Sequence, residues 1–542
     1  MSDRTLQTPV SSPATNKRWW ALVALCGAVL LVMIDNTIVN VALPTISRDL
    51  SADNSGLQWV VDAYTLTFAG LLLTAGHFAD RFGRRRLLVI GVLGFAVVSV
   101  VAASSQTLGQ LIATRAGLGV FAAMVFPATL SLLIGLFPDL KERAIAVGIW
   151  AGTSGIAVAI GPVLGGWLLE HYSWSSVFWV NLPIAAAVLV GVALAVPSGG
   201  KAQPGPFDAI GAITSITGVA LLVYTVIEGP NHGWTSTESI LGFIGAAIIL
   251  TLFVLRELRS SHPILNVRLF ANRHFSVASG LIAVAFFSLF GFIFLITQYF
   301  QAVKGYGPLS AGLHTLPFAV VMAVFSPLAM IFARRLGPGR VAALGSATMA
   351  AGFALVLVAG RDASYWGLII WSMSLMAMGL ALVQGPATNI ITNSLSADQT
   401  GAGSAVNDVT REIGGTLGVA VLGSILTSVY TAQIGSDLDN VGLPPEAVDT
   451  AKNSVMAGVE MATGIGGDSG QQVLVTIQDA FVDGLHISVI AAIAAAGLAA
   501  PIAWFTLRGQ TLGNAVLSED AVPEDGAAED VTLEPERQAE YS

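Results

Sequence analysis

The chain has 542 residues, 54% of them hydrophobic and only 11% charged, with a formal net charge of −9. A soluble domain carries about 25% charged residues, so the composition excludes an ordinary water-soluble protein and predicts an all-α protein that crosses a membrane many times. Much of the acid follows Arg508 (SEDAVPEDGAAEDVTLEPERQAE), so the charge describes a tail; no basic, aromatic-interleaved patch points to nucleic acid.

Residues 1–18 read as a cytoplasmic tail without the pattern of a cleaved signal peptide, so the first span is expected to stay as an anchor. That span, ALVALCGAVLLVMIDNTIVNVALP over 21–44, follows Lys17, Arg18, Trp19 and Trp20, a basic anchor and an aromatic belt. Asp35 sits inside it, about 22 Å beyond Trp20 at roughly 1.5 Å per residue. A carboxylate at that depth is expensive and tends to be functional. The plainer alternative is a structural acid that caps a neighbouring helix. The only cysteine, Cys26, lies in the same span; no intrachain disulfide is possible, and a packing role is expected.

Apolar runs of spanning length recur near 19–40, 56–75, 87–104, 109–133, 144–169, 176–196, 209–227, 239–256, 275–300, 311–333, 341–359, 365–390, 402–430 and 481–507, fourteen in all. Lys and Arg concentrate in alternate loops, at Arg4, Lys17 and Arg18, Arg81 to Arg86, Lys141 and Arg143, Lys201, Arg256 to Arg273 and Arg334 to Arg340. The positive-inside bias therefore predicts that both termini are cytoplasmic. A Gly/Pro-rich break, PSGGKAQPGP, follows the sixth span, and two further spans precede a basic stretch. This divides the chain into a six-helix bundle over 19–196, two linker helices with their loops over 197–274, and a second six-helix bundle over 275–507 that carries a long external loop at 431–480. An acidic cytoplasmic tail occupies 508–542. GHFADRFGRRR after the second span is echoed by ARRLGPGR after the tenth, the same ordinal place in the second half. Parallel repeats of this kind mark one transporter architecture.

The chemistry-bearing residues follow in order. Asp62, in QWVVDAYTLTFAG, lies a few residues into the second span. A carboxyl group withdrawn from water can hold a proton near neutral pH and release it when a cation or water arrives. That is the chemistry of exchanging protons for cationic solutes; a solvated vestibule acid is the alternative for Asp62. In the cytoplasmic loop Gly76–Arg86, Gly83 allows a tight turn and Asp80 can cap a helix end or pair with an arginine such as Arg81 or Arg84; a topogenic basic loop is the plainer reading. Arg115 lies one turn inside the fourth span and is expected to pair with one of the two acids, either as a switchable partner or as a fixed structural pair. The fifth span carries Gly155, Gly161, Pro162, Gly165 and Gly166, a close-packing face with a kink that suits a hinge and seal. In the thirteenth span Asp408 and Glu412 share a helix face and Arg411 can reach Asp408; they neutralise one another or form part of a proton path. Gln298, Gln384 and Asn389 are candidates to line a cavity. His77 and His314 are expected to be packed histidines. No metal-ligand spacing and no phosphate-cradling GxxxxGK[ST] motif occurs, nor any nucleophile–base set, so neither an enzyme nor ATP as energy source is expected.

With these residues the chain resembles the major facilitator superfamily, in particular its fourteen-span drug/proton antiporters near the quaternary-ammonium and multidrug exporters. Asp35–Pro44 (DNTIVNVALP) is similar to that family's first-span signature, Gly76–Arg86 to its span 2–3 loop, Arg115 to its fourth-span arginine, Gly155–Gly166 to its exporter-associated fifth-span pattern, Trp174–Pro183 (WSSVFWVNLP) to its sixth-span entrance and 404–424 to its thirteenth span. The chain departs from the pattern at Ser175 and Leu118, and 311–333 lacks the further acid of some relatives, which argues against divalent cationic cargo. The resemblance implies a monomeric proton-driven exporter of amphipathic, cationic compounds in the plasma membrane, with no cofactor beyond the proton gradient. An exporter of an endogenous metabolite, antibiotic or lipid would look the same; a membrane sensor or scaffold would need no buried carboxylates.

Overall fold

The computed structural model describes residues 15–197, 208–261, 263–394, 400–439 and 443–510. Both tails beyond these limits, the Gly/Pro-rich break, and the surroundings of Asp80 and Gly155 lie outside the described residues.

The first bundle contains α1 (Thr15–Leu50), α2 (Asn54–Phe82), α3 (Arg84–Ala103), α4 (Leu108–Leu136) and α5 (Leu140–His171). Its sixth crossing is broken into α6 (Ser176–Trp179) and α7 (Asn181–Ala195). A hairpin of α8 (Ala209–His232) and α9 (Thr237–Arg259) follows. The second bundle holds α10 (Arg273–Gln298), α11 (Pro308–Leu336), α12 (Pro338–Val356), α13 (Ile370–Asn393) and α14 (Thr400–Asp439), then short α15 (Pro445–Asn453) and α16 (Val455–Ile465), and finally α17 (Gly467–Thr506). Each of the fourteen segments read from the sequence falls on one of these helices or on the broken pair. Thirteen described stretches are long and apolar enough to cross a bilayer. The remaining one, α5, is a 32-residue helix whose described apolar part is Ile156–His171. The chain is a multi-pass membrane protein of the expected fold class, two six-helix bundles with two inserted helices.

Caps account for the helix starts: the Asp53 carboxylate accepts from the Gly56 amide at 2.8 Å, and Thr107, Ser236 and Asn272 cap α4, α9 and α10 likewise. The internal echo has a geometric basis. Gly83 joins α2 to α3 with φ +95°, and Gly337 joins α11 to α12 with φ +90°. Only glycine adopts that backbone without strain, so both bundles turn the same corner with the same residue. The stretch between 431 and 480, long enough to form short surface helices, is mostly helical among the described residues: α14 runs on to Asp439, α17 starts at Gly467, and short α15 and α16 lie between.

Within the first bundle α1 packs on α5 and α7, and α2 on α4. A side chain at Gly119 of α4 would collide with the Thr67 hydroxyl and the Tyr64 carbonyl of α2. We expect Gly119→Val to lower stability by about 1–3 kcal/mol through overpacking, read as a lower thermal midpoint in detergent; an unchanged midpoint would contradict this packing.

The bundles meet along α5–α11 and α2–α14. Arg18, at the start of α1, pairs with Glu142 at the start of α5 (3.0 Å), marking the end of the protein that bears the amino terminus. Among the described residues, hydrogen bonds between the bundles cluster from the middle toward the opposite end. Gln301 donates to the Val41 carbonyl (3.0 Å), Ser424 donates to the Gln58 amide oxygen (3.1 Å), and Ser47 of α1 meets Ser454 of the α15–α16 cap (2.8 Å). The remote end is thus closed. The α8–α9 hairpin lies across the α2–α14 seam, where Val223, Val226 and Ile227 bury against Leu66 of α2 and Ala420 of α14. Trp59 of α2 donates to Glu228 (3.0 Å), and Trp234 donates to Ser428 of α14 (3.0 Å). At the base of the hairpin Asp208 pairs with Arg256 (2.9 Å). Burial opposes ionisation of Asp208, but bonds from the Gly211 amide and Arg256 outweigh it and hold its carboxyl below the usual range.

Candidate functional site

The site starts from a charge that apolar helices cannot tolerate alone. Asp35 of α1 and Arg115 of α4 are both fully buried. An isolated ion in such a place would cost several kcal/mol or more, so each needs a partner and further hydrogen bonds. They supply each other: Arg115 Nη1 donates to Asp35 Oδ2 at 2.6 Å. Of the two acids open to Arg115 on sequence grounds, the structure selects Asp35. The guanidinium is held from two further directions. Nε donates to the Val60 carbonyl of α2 at 2.8 Å, and the Tyr64 ring lies 4.4 Å beneath it, a cation–π contact. Tyr64 is itself pinned, its hydroxyl donating to the Val32 carbonyl (3.0 Å).

The other carboxylate oxygen is met by a residue to which sequence reasoning gave no role. Asn181, at the first position of α7 just after the break at Val180, donates through Nδ2 to Asp35 Oδ1 at 2.8 Å and to Ser99 Oγ of α3 at 3.1 Å. Its signal in the sequence was a lone amide inside an apolar span.

Asp62, also fully buried, faces the other bundle. Its Oδ1 accepts from Thr65 (3.4 Å), and Thr65 accepts from Thr416 of α14 (3.0 Å). Asp62 Oδ2 has no partner among the described residues. One turn along α14 lies buried Glu412, whose Oε2 is likewise without a partner there. Tyr64, beneath Arg115, and Asp62, linked through Thr65 to Thr416 of α14, lie less than one turn apart on α2. Asp408 and Arg411 are partly exposed and 3.8 Å apart, as their spacing allows, and Arg411 stacks on Phe286 at 4.4 Å. The structure therefore brings Asp35, Arg115, Asp62 and Glu412 toward one region and sets Asp408 to its side.

The fifth-span pattern divides between two neighbours. A side chain at Gly161 would strike the Thr37 hydroxyl, and one at Gly165 would come to 2.6 Å from Ile38, both on α1. A Cβ added at Gly166 would come to 2.5 Å from the Leu309 backbone of α11, and one at Gly312 of α11 would strike the Pro162 carbonyl. Between these helices a cavity of about 30 Å³ is lined by Thr37, Pro162, Phe292, Thr297 and Phe318 among others, room for a water or two. Gln298, Gln384 and Asn389 do not line it: Gln298 is buried and donates to the Phe294 carbonyl (3.2 Å), and Asn389 accepts from Asn393 (2.8 Å). Gln384 is half-buried on α13. At the other end Gly83 makes the tight turn, Gly76 sits near Pro127, Arg81 lies over Phe82 and Arg84 donates to the Ser131 carbonyl (3.2 Å), tying the corner to α4. No group of His, Cys, Asp and Glu able to hold a metal occurs among the described residues.

Comparison with known proteins places this arrangement. The model of the Major Facilitator Superfamily matches residues 25–419. The chain is 36% identical over 496 residues to the multidrug efflux pump LfrA of Mycolicibacterium smegmatis, covering 91% of this chain and 97% of the relative. It is 33% identical to the methyl viologen resistance protein SmvA of Salmonella typhimurium (91% and 98% covered) and 32% identical to the tetracenomycin C resistance and export protein of Streptomyces glaucescens (94% and 96%). Among solved structures, a bacterial homologue of the human lysosomal transporter Spinster, inward-facing and unoccupied, aligns with TM-score 0.61 at 19% identity, covering 91% of this chain and 98% of that one.

Proposed function

Because the chain belongs to the Major Facilitator Superfamily, a superfamily of membrane transporters rather than enzymes, we propose that it is a proton-driven multidrug exporter of amphipathic, cationic compounds such as quaternary ammonium antiseptics and dyes. The observation that carries this reading is the set of buried acids: Asp35 held between Arg115 and Asn181, with Asp62 and Glu412 at the seam between the bundles, each with one carboxyl oxygen that has no hydrogen-bond partner among the described residues. A relative named as a multidrug efflux pump supports the export of varied compounds, and one named for methyl viologen, a dication, supports cationic cargo although 311–333 lacks a further acid.

Protonation of Asp35 removes the charge that Arg115 balances. The guanidinium keeps its bond to Val60 and its seat on Tyr64, so it need not leave the site when the pair is neutralised. Its uncompensated charge then acts through Tyr64 on the α2–α14 seam, where it disfavours a bound cation. In the reverse direction, loss of the proton restores a site that tolerates positive cargo. A ligand drives the switch only through its differential affinity for the two states. In this reading both termini are cytoplasmic, the chain acts as a monomer, Asp408 and Arg411 flank the proton path, and the corners at Gly83 and Gly337 guide the rocking of the bundles.

Ethidium efflux from cells expressing the protein, with and without a proton uncoupler, tests the reading. Uncoupler-sensitive efflux is expected; efflux indifferent to the gradient would overturn it. The Streptomyces relative named for export of tetracenomycin C favours a second reading, an exporter of an endogenous antibiotic-like product. Counterflow with a substrate panel separates the two.

A further inference from the structure

We propose that Asn181 is the positioning residue that reads the protonation state of Asp35 by presenting either end of its amide to the carboxyl group. The inference rests on the proton-driven reading above, and it concerns a residue fully buried from solvent.

The present orientation of the amide is forced by its neighbours. Ser99 gives its hydroxyl proton to the Phe95 carbonyl (2.8 Å), so toward Asn181 it can only accept. Asp35 Oδ1, opposite Arg115 on the same carboxylate, also accepts. Both amide protons are thereby committed, one to α1 and one to α3, and the arrangement fits an ionised acid. The other end of the amide is idle: Asn181 Oδ1 is buried with no partner among the described residues. An unmade bond of this kind carries a desolvation cost. A half-turn about Cβ–Cγ exchanges the two ends with no change of shape, but it moves the two amide N–H groups into the place of the idle oxygen, at the desolvation cost of their own unmade bonds, so this orientation is confined to the protonated acid. The amide oxygen then accepts the O–H of a protonated Asp35, while Ser99 turns its hydroxyl from Phe95 to the same oxygen. The proton stays on Asp35, and no charge moves other than the one that arrived.

The residue is placed to transmit this. It sits at the restart of the sixth crossing and ties α7 to α1 and α3, so a change at Asp35 alters how three helices are linked. The titratable groups facing Asp35 are Arg115 from α4 and Tyr64 from α2, with Asp62 of α2 and Glu412 of α14 at the seam between the bundles. α7 carries no ionisable side chain; those of α5 lie in its first and last turns, and α10 bears Arg273 and His274 at its start.

The test is an infrared pH titration of the purified full-length protein in lipid, reading the protonated-carboxyl band that disappears in Asp35→Asn. In Asn181→Leu the ionised acid loses one donor, and its midpoint should move toward alkaline pH by about one unit, the size expected for a hydrogen bond to a charged group. Ser99→Ala frees the amide from α3 while leaving Asp35 and Asn181 in place; it should move the midpoint by less and lose the alternation of the Asn181 amide band with pH. A fixed donor would shift the midpoint in Asn181→Leu while the wild-type Asn181 amide band stays unchanged with pH; that result, or an unmoved midpoint in Asn181→Leu, overturns the proposal. If wild type and Asp35→Asn titrate identically, the proton-driven reading fails instead, so the two failures are distinguishable.

Discussion

Asp35→Asn is expected to reduce uncoupler-sensitive efflux to the level of cells without the protein, while the protein still inserts and is purified intact. The side chain keeps its size and can still accept from Arg115, but it can no longer exchange a proton. Removing one charge of a buried pair commonly costs about 3–5 kcal/mol, because the partner stays buried and uncompensated. Here Arg115 keeps the Val60 carbonyl and the Tyr64 ring, so the loss should fall at the lower end of that range. The double variant Asp35→Asn/Arg115→Gln should recover most of the stability and none of the efflux. That combination separates a damaged fold from lost chemistry: efflux returning with stability would mean that the pair is only structural.

The second large effect is expected at the crossing of α5 and α11. Gly312→Val places a branched side chain against the Pro162 carbonyl, where even one Cβ has no room. Backbone cannot yield as the end of a flexible side chain does, so the helices must separate. The remote end should then be held open and transport arrested, with the fold intact because each bundle retains its own core. Cys26 is the only cysteine and is buried, so a reporter cysteine at Ser424, beneath the closed end, can be labelled cleanly in a Cys26→Ala background. Labelling from that side should rise several-fold in Gly312→Val. Unchanged labelling together with normal efflux would show that this crossing does not gate the pathway.

The spans were legible because each had to supply a bilayer's depth of apolar surface, and hydropathy reads that length directly. Asp35 and Arg115 were legible for the opposite reason, as charges where the solvent is oil. What hydropathy does not encode is adjacency. Spans of similar composition are interchangeable in a sequence, so nothing in the chain told that α14 lies against α2, that Thr416 reaches Thr65, or that α8 crosses the seam between bundles. Asn181 escaped for a related reason: an amide at the start of an apolar run looks like an interfacial cap until the packing of α7 against α1 and α3 sets it facing Asp35. A polar side chain within a span can satisfy itself locally, as Gln298 does on its own helix, so its type alone does not say whether it faces a cavity. Gly83 and Gly337 were readable as a repeat, and their matching positive φ angles give that repeat its physical content.

The α8–α9 hairpin makes the two flanks of the protein unequal. On the side where α2 meets α14, a compound dissolved in the bilayer confronts a second wall, apolar and stapled by indole hydrogen bonds at its far end. On the side where α5 meets α11 it confronts a single bare crossing of glycine against backbone. The hairpin thus covers one of the two lines along which the bundles meet and leaves the other to glycine packing alone.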